Sequence, residues 1–180
     1  RLRLLRPKPL GVEAAHELIR KPLAELGLSL QPERLFQHIL KVTGRLPYLL
    51  QYYGRTLVEC ALGGERDSVG AECVRKVEAS FETALLFLSP LQTLAERKLR
   101  LLAIHVLKHF SGPFGPEALV PIAPSLGLEP DVLQIVSACN DLVLQNVLAW
   151  DEGRYHVASE GLRHFARKHQ ASIIVRGLRA

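Results

Sequence analysis

The sequence predicts a mainly α fold with one small β-hairpin, arranged as two helical units. Three observations predict it. Hydrophobic residues fill 48% of the 180 positions, yet aromatics only 6%, and Leu and Ala dominate over short β-branched runs. Apolar residues recur at three- and four-residue intervals along most of the chain, the period of an amphipathic helix. One stretch, Val147 to Val157, reads as strand, turn and strand.

The elements follow in order. Arg1 to Pro9 alternates basic and apolar residues and reads as a short strand or an extended arm, stopped by Pro7 and Pro9. A first helix is predicted from Val12 to Leu26, with a break or kink near Pro22, and Gly27 ends it. A second spans Pro32 to Val42, with Leu35, Phe36, Ile39 and Leu40 on one face. Gly44 stands where a helix C′ glycine stands, and Pro47 opens a third helix to about Ala61. Gly63 to Ser68 is a loop by composition. A fourth helix is predicted from Val69 to Phe87, with Val74, Val77, Phe81, Ala84, Leu85 and Leu88 on its buried face. Ser89-Pro90 closes this unit, so the first domain is placed at residues 1–88.

The second unit opens with Thr93-Leu94-Ala95-Glu96, which matches a capping box, with Ser89-Pro90-Leu91-Gln92 a rival start. That helix runs to about Phe110, and Ser111-Gly112-Pro113 stops it. A short helix is predicted from Pro116 to Ser125, and a longer one opens at Pro130 and reaches Gln145, with Leu133, Val136, Cys139 or Asn140, and Val143 along one side. Val147–Trp150 and Arg154–Val157 flank Asp151-Glu152-Gly153 as the hairpin. Ser159 caps a last helix from Glu160 to His169. This unit is placed at residues 89–170, with 171–180 a tail or linker in which Ser172 to Val175 suits a strand.

Charge is uneven along the chain. The net charge is +5. Residues 128–152 hold Glu129, Asp131, Asp141, Asp151 and Glu152 and no Lys or Arg, while residues 1–55 and 153–180 are basic. Docking of the acidic stretch on a basic one is therefore an expectation, and at physiological salt only close contacts would contribute to it. Cys60, Cys73 and Cys139 are odd in number and widely spaced, so they suggest neither a metal site nor a disulfide framework, and core packing is expected for all three. No apolar stretch reaches bilayer-spanning length and no signal peptide is visible, so a soluble cytoplasmic protein without a membrane partner is expected.

The stretch that stands out is Thr43-Gly44-Arg45-Leu46-Pro47-Tyr48-Leu49-Leu50-Gln51. A proline ring is rigid and offers an apolar face to a flat base. Arg45 is suited to phosphate, because a guanidinium presents a planar fork of donors. A helix–turn–helix with a surface arginine fits the same residues, and Tyr48, Tyr52 and Tyr53 suit core packing.

This motif resembles the lid of P-loop ATPases of the AAA and STAND type, and Leu10 to Leu28 is similar to the first lid helix of those proteins. The likeness covers residues 1–88, and the remainder resembles the winged-helix domain that often follows such lids. It implies a four-helix lid followed by a winged helix, with Gly44, Arg45 and Pro47 as nucleotide-binding residues and the proline packed on adenine. It also implies ATP or ADP as ligand only together with an ATPase core. No Gly-x-x-x-x-Gly-Lys-Ser/Thr loop occurs here, and the chain opens on Arg1 rather than methionine, so the likeness implies a C-terminal piece of a larger ATPase. That piece is non-enzymatic by itself and has no catalytic residues. Its expected partners are its own ATPase core or another protein, with oligomers of the parent conceivable.

Two other readings stand beside it. One is a winged-helix DNA-binding regulator, which the lack of Lys and Arg on the helix from Pro130 disfavours, although Gln134 and Asn140 are suited to adenine edges. The other is a helical interaction module indifferent to nucleotide. Arg163, Arg167 and Lys168, with His164 and His169, give the last helix a basic face that suits either solvent or a nucleic-acid or protein partner. His105 and His109 share a helix face but lack a third ligand, so no metal is expected.

Overall fold

The structure, a computed structural model, describes residues 8–64 and 67–168. It is mainly helical with a few small strands, as the sequence predicts. The chain divides into two compact units, Arg1–Phe87 and Leu88–Ala180. Among the described residues no helix is long and apolar enough to cross a membrane.

The first unit begins with α1 (Val12–Glu25), which runs unbroken through Pro22. Pro22 is exposed, so its missing N–H falls on the solvent side of the helix. Strand β1 (Ser29–Leu30) follows, then α2 (Glu33–Thr43) and α3 (Pro47–Gly63). A second short strand, β2 (Ser68–Val69), pairs in parallel with β1, Ser29 against Ser68 and Leu30 against Val69. This pairing ties the loop after α1 to the loop after α3. Helix α1 packs chiefly on α3. The core holds Ala15, Ile19 and Leu23 of α1, Phe36 and Ile39 of α2, and Leu50, Tyr53, Leu57 and Ala61 of α3. The last four recur at helical spacing, which is why α3 sits at the centre of the unit.

The single helix predicted over 69–87 is two helices, α4 (Ala71–Ala79) and α5 (Phe81–Gln92). Ser80 breaks them with extended backbone, φ −67° and ψ 138°. Its carbonyl accepts the Ala84 N–H, and the Thr83 hydroxyl reaches back to the Val77 carbonyl, so both sides of the break are satisfied. The break turns the apolar stripe: Val74, Val77 and Ala84 are buried as expected, while Phe81 is 62% exposed and Leu85 37%. Helix α5 also runs through Pro90 instead of stopping there.

In the second unit, α6 (Arg97–His109) buries Leu99, Leu102, Ala103, Val106 and Leu107. The expected capping box does not form. Thr93 instead donates its hydroxyl to the Pro90 carbonyl at 2.9 Å, at the end of α5, and no side chain caps α6. The stretch Pro116–Leu126 is a 3-10 helix, since Pro121 and Pro124 withhold the donors an α-helix needs. Helix α7 (Val132–Leu144) starts after Asp131, whose carboxylate accepts the Leu133 and Gln134 N–H groups, each at 3.3 Å. Its buried side is Ile135, Ala138, Cys139 and Leu142, and Leu133 lies outside it.

Strands β3 (Leu148–Asp151) and β4 (Arg154–Val157) form the hairpin. Glu152 and Gly153 both take positive φ, 46° and 79°, the backbone of a two-residue hairpin turn. Phe114 adds one antiparallel bridge to Tyr155. Helix α8 (Glu160–Lys168) closes the unit, its start held by the Ser159 hydroxyl accepting the Leu162 N–H at 3.1 Å. Residues 169–180, including the stretch from Ser172 to Val175, lie outside the described residues.

Candidate functional site

The site begins with the end of α2. Gly44 takes the left-handed conformation, φ 60° and ψ 21°, which ends the helix as its position predicts. Arg45 then does the same, with φ 59°. A left-handed conformation costs an L-residue roughly 1–2 kcal/mol, so the surroundings must hold it. Two contacts do so. The Arg45 N–H donates to the Thr43 hydroxyl at 3.3 Å, and the Leu10 N–H donates to the Arg45 carbonyl at 2.9 Å. Thr43 is fully buried, and its hydroxyl donates to the Ile39 carbonyl at 2.8 Å, which aims its lone pairs at the turn. A further bond from the Leu46 N–H to the Thr43 carbonyl, 3.3 Å, closes the turn.

Pro47 then enters α3 at its first turn, with extended Leu46 before it. No side chain caps α3 and no acidic residue lies in its first turn, so the positive end of a 17-residue helix is left uncompensated there. Gly44, Arg45, Pro47 and Tyr48 are all half-buried. The three residues predicted to touch nucleotide thus lie on one turn, contiguous in space. Thr43 and Leu10, which hold that turn, had no role in the sequence reading. A threonine directly before a helix-ending glycine was the available signal for the first; nothing local marks the second.

Behind the turn, α3 presents its tyrosines inward. Tyr53 is fully buried, edge-on to Phe87 at 6.3 Å, and Tyr52 shares a 3.2 Å hydroxyl–hydroxyl contact with Thr83. Burial, reinforced by the Glu78 carboxylate, holds the Tyr53 phenol above its ordinary range. Glu78 acts on it through charge, because the Tyr53 hydroxyl makes no hydrogen bond of acceptable geometry. Glu78 pairs instead with His38 at 2.7 Å. The expected packing role of the tyrosines fits this arrangement. A separate cleft of about 370 Å³ lies between the end of α1, β1 and the start of α2, bordered by Arg20, Leu23 and Glu33, and none of residues 43–48 lines it.

The basic residues of α8 do not behave alike. Arg167 donates to the Leu107 carbonyl at 3.3 Å and to the Lys108 carbonyl at 3.2 Å, so it satisfies the end of α6. Arg163 is half-buried, with its Nε buried and unpartnered; burial and then the charge of Arg167 hold its guanidinium below the ordinary range, against a smaller upward pull from Glu160. Lys168 is exposed. His105 and His109 stack with ring centroids 4.5 Å apart, and among the described residues no group of three metal-ligating side chains exists. Cys73 and Cys139 are buried and Cys60 half-buried, none of them in a disulfide. On α7, Asn140 accepts the Tyr155 hydroxyl at 2.9 Å, so its amide oxygen is already engaged.

No protein-family model matches the chain, and no curated protein matches it. Among solved structures, a variant of RuvB from Thermotoga maritima is similar at 19% identity, with a TM-score of 0.37 over 86% of this chain. The chain spans 48% of that chain's length. A likeness of that size leaves the function to be argued from the turn itself.

Proposed function

We propose that the first unit is a lid that closes over ATP or ADP held by a P-loop core, and that the second unit relays nucleotide state through protein contacts. The observation that carries this reading is the turn between α2 and α3. Two successive left-handed residues, held by a buried hydroxyl and by the Leu10 N–H, set the rigid ring of Pro47 beside the uncapped start of α3. Pro47 supplies the apolar face for adenine. The helix start favours negative charge, and Arg45 supplies a guanidinium nearby for phosphate oxygens. The motif's resemblance to AAA and STAND lids supports the same roles. The chain itself brings no phosphate loop, so it contributes to nucleotide binding and not to hydrolysis.

The test is titration of fluorescent ATP and ADP into the longer protein in which this chain follows its P-loop core, wild type against Pro47→Ala. A ring face of roughly 40–50 Å² stacked on adenine contributes about 1 kcal/mol at the usual area coefficient, so affinity should fall about fivefold with the circular dichroism unchanged. Undiminished binding would take Pro47 out of the site. A protein that binds neither nucleotide sinks the lid reading altogether.

The DNA-binding alternative gains nothing from the second unit. Helix α7 carries no Lys or Arg to meet phosphate, and Asn140 is held by Tyr155.

A further inference from the structure

The second unit leaves two leucines and a tryptophan bare on one side. On α7, Leu133 is 77% exposed and Leu144 is 49% exposed. With Ser137 and Asn140 between them they form one line along the helix, spaced four, three and four residues apart. Trp150 joins this line. It stands opposite Tyr155 in the hairpin, so both side chains leave the same side of the sheet, and their rings lie 4.5 Å apart. The Tyr155 hydroxyl bonds to Asn140 on α7. Trp150 therefore lies beside the tyrosine that reaches the middle of the α7 line, and it is 52% exposed. From Leu133 to Leu144 the line runs about 16 Å, the length of a three-turn helix.

The rim of this face is mainly acidic. Asp131 and Asp141 are exposed on or beside α7 and Glu152 is exposed at the hairpin turn, while Asp151 stands opposite exposed Arg154 and leaves the other side of the hairpin from Trp150; residues 128–152 contain no Lys or Arg. We infer that the face formed by α7 and Trp150 docks a basic amphipathic helix, with leucine-like anchors over Leu133, Leu144 and Trp150 and Lys or Arg against the acidic rim. Charge decides between the occupants. A nucleic acid would bring phosphate to carboxylates. A second copy packed by two-fold symmetry would set acidic rim against acidic rim, because the same patch faces itself. A basic helix meets both the apolar line and the rim. This inference is independent of the nucleotide reading, and its test contains no nucleotide.

Trp150 is the chain's only tryptophan, so the face carries its own reporter. The experiment is titration of the full chain with a synthetic helical peptide of about 18 residues, Leu at i, i+3, i+4 and i+7 and Lys or Arg elsewhere, against its twin with Glu in place of every basic residue. The expected result is a saturable blue shift of Trp150 emission with the basic peptide alone, weakened by salt. The net charge of +5 makes this preference informative, because overall charge would favour the acidic twin. Leu133→Ser with Leu144→Ser should lower the affinity about tenfold. Asp141→Lys keeps the apolar line whole and should also weaken binding, which covers the case of a double variant that fails to fold. Equal response to both peptides, no response, or undiminished binding by Asp141→Lys would overturn the inference. So would a concentration-dependent blue shift without peptide that tracks dimer formation in sedimentation, because a second copy would then be the occupant.

Discussion

The latch at Thr43 can be tested with two substitutions that cost similar stability for different reasons. Thr43→Val keeps the branched shape in a fully buried site and removes the hydroxyl that accepts the Arg45 N–H at 3.3 Å. A part-buried donor left unpaired costs roughly 1–2 kcal/mol, offset by up to about 0.8 kcal/mol for burying a methyl in place of a hydroxyl. The net loss is about 1 kcal/mol. Thr43→Ser keeps the hydroxyl and removes a buried methyl, again about 1 kcal/mol with its small cavity. Stability alone therefore does not separate them, and local exchange does. Amide hydrogen exchange, read by NMR, should show the Arg45 amide opening about fivefold more readily in the valine variant than in the serine variant. Urea unfolding of the first unit is followed by far-UV circular dichroism, because Trp150 lies in the second. If the valine variant leaves Arg45 exchange within about twofold of wild type, the hydroxyl does not hold the left-handed turn, and the argument for a stiffened Pro47 loses its basis.

Two further outcomes follow from the second unit. Burial pushes the Cys139 thiol up to about 12, so an aromatic disulfide reagent at neutral pH should label half-buried Cys60 first and Cys139 only on unfolding, as read by peptide mass spectrometry; early labelling of Cys139 would contradict its packing. Burial first, then the charges of His109 and Lys108, hold the His105 imidazole below its ordinary value of 6.5. The unfolded chain thus binds more protons in that window, so Trp150-monitored stability should fall as pH drops below about 6.5, and the slope should be shallower in His105→Leu. An unchanged slope would assign the effect to other histidines.

Features written within a few neighbouring residues were legible in the sequence. The spacing of Phe36, Ile39 and Leu40 announced α2. Gly44 announced its end and Pro47 the start of α3, Gly153 the hairpin turn, and Ser159 the cap of α8. Each of these signals acts over about one helical turn, where the residues that decide the conformation are the residues that adopt it. The break at Ser80 was not legible, because apolar spacing runs on across it; the extended Ser80 backbone and the Thr83 contact with the Val77 carbonyl show the chain turning. Thr93 reads as a cap but bonds backward to Pro90, while Asp131 does the capping at α7. Leu133 reads as core and lies bare, since periodicity places residues on a common face but does not say what covers that face.

By itself, then, the sequence determined the helical class, most element boundaries, the hairpin and the turn on which Gly44, Arg45 and Pro47 lie together. The tertiary structure decided the rest: the parallel pairing of Ser29–Leu30 with Ser68–Val69, the Leu10 bond that holds Arg45 left-handed, and the use of Arg167 to satisfy the end of α6. The partners in these contacts are thirty to sixty residues apart. A hydrogen-bond donor carries no local mark of an acceptor so far along the chain, and only the packing of the helices brings the two together.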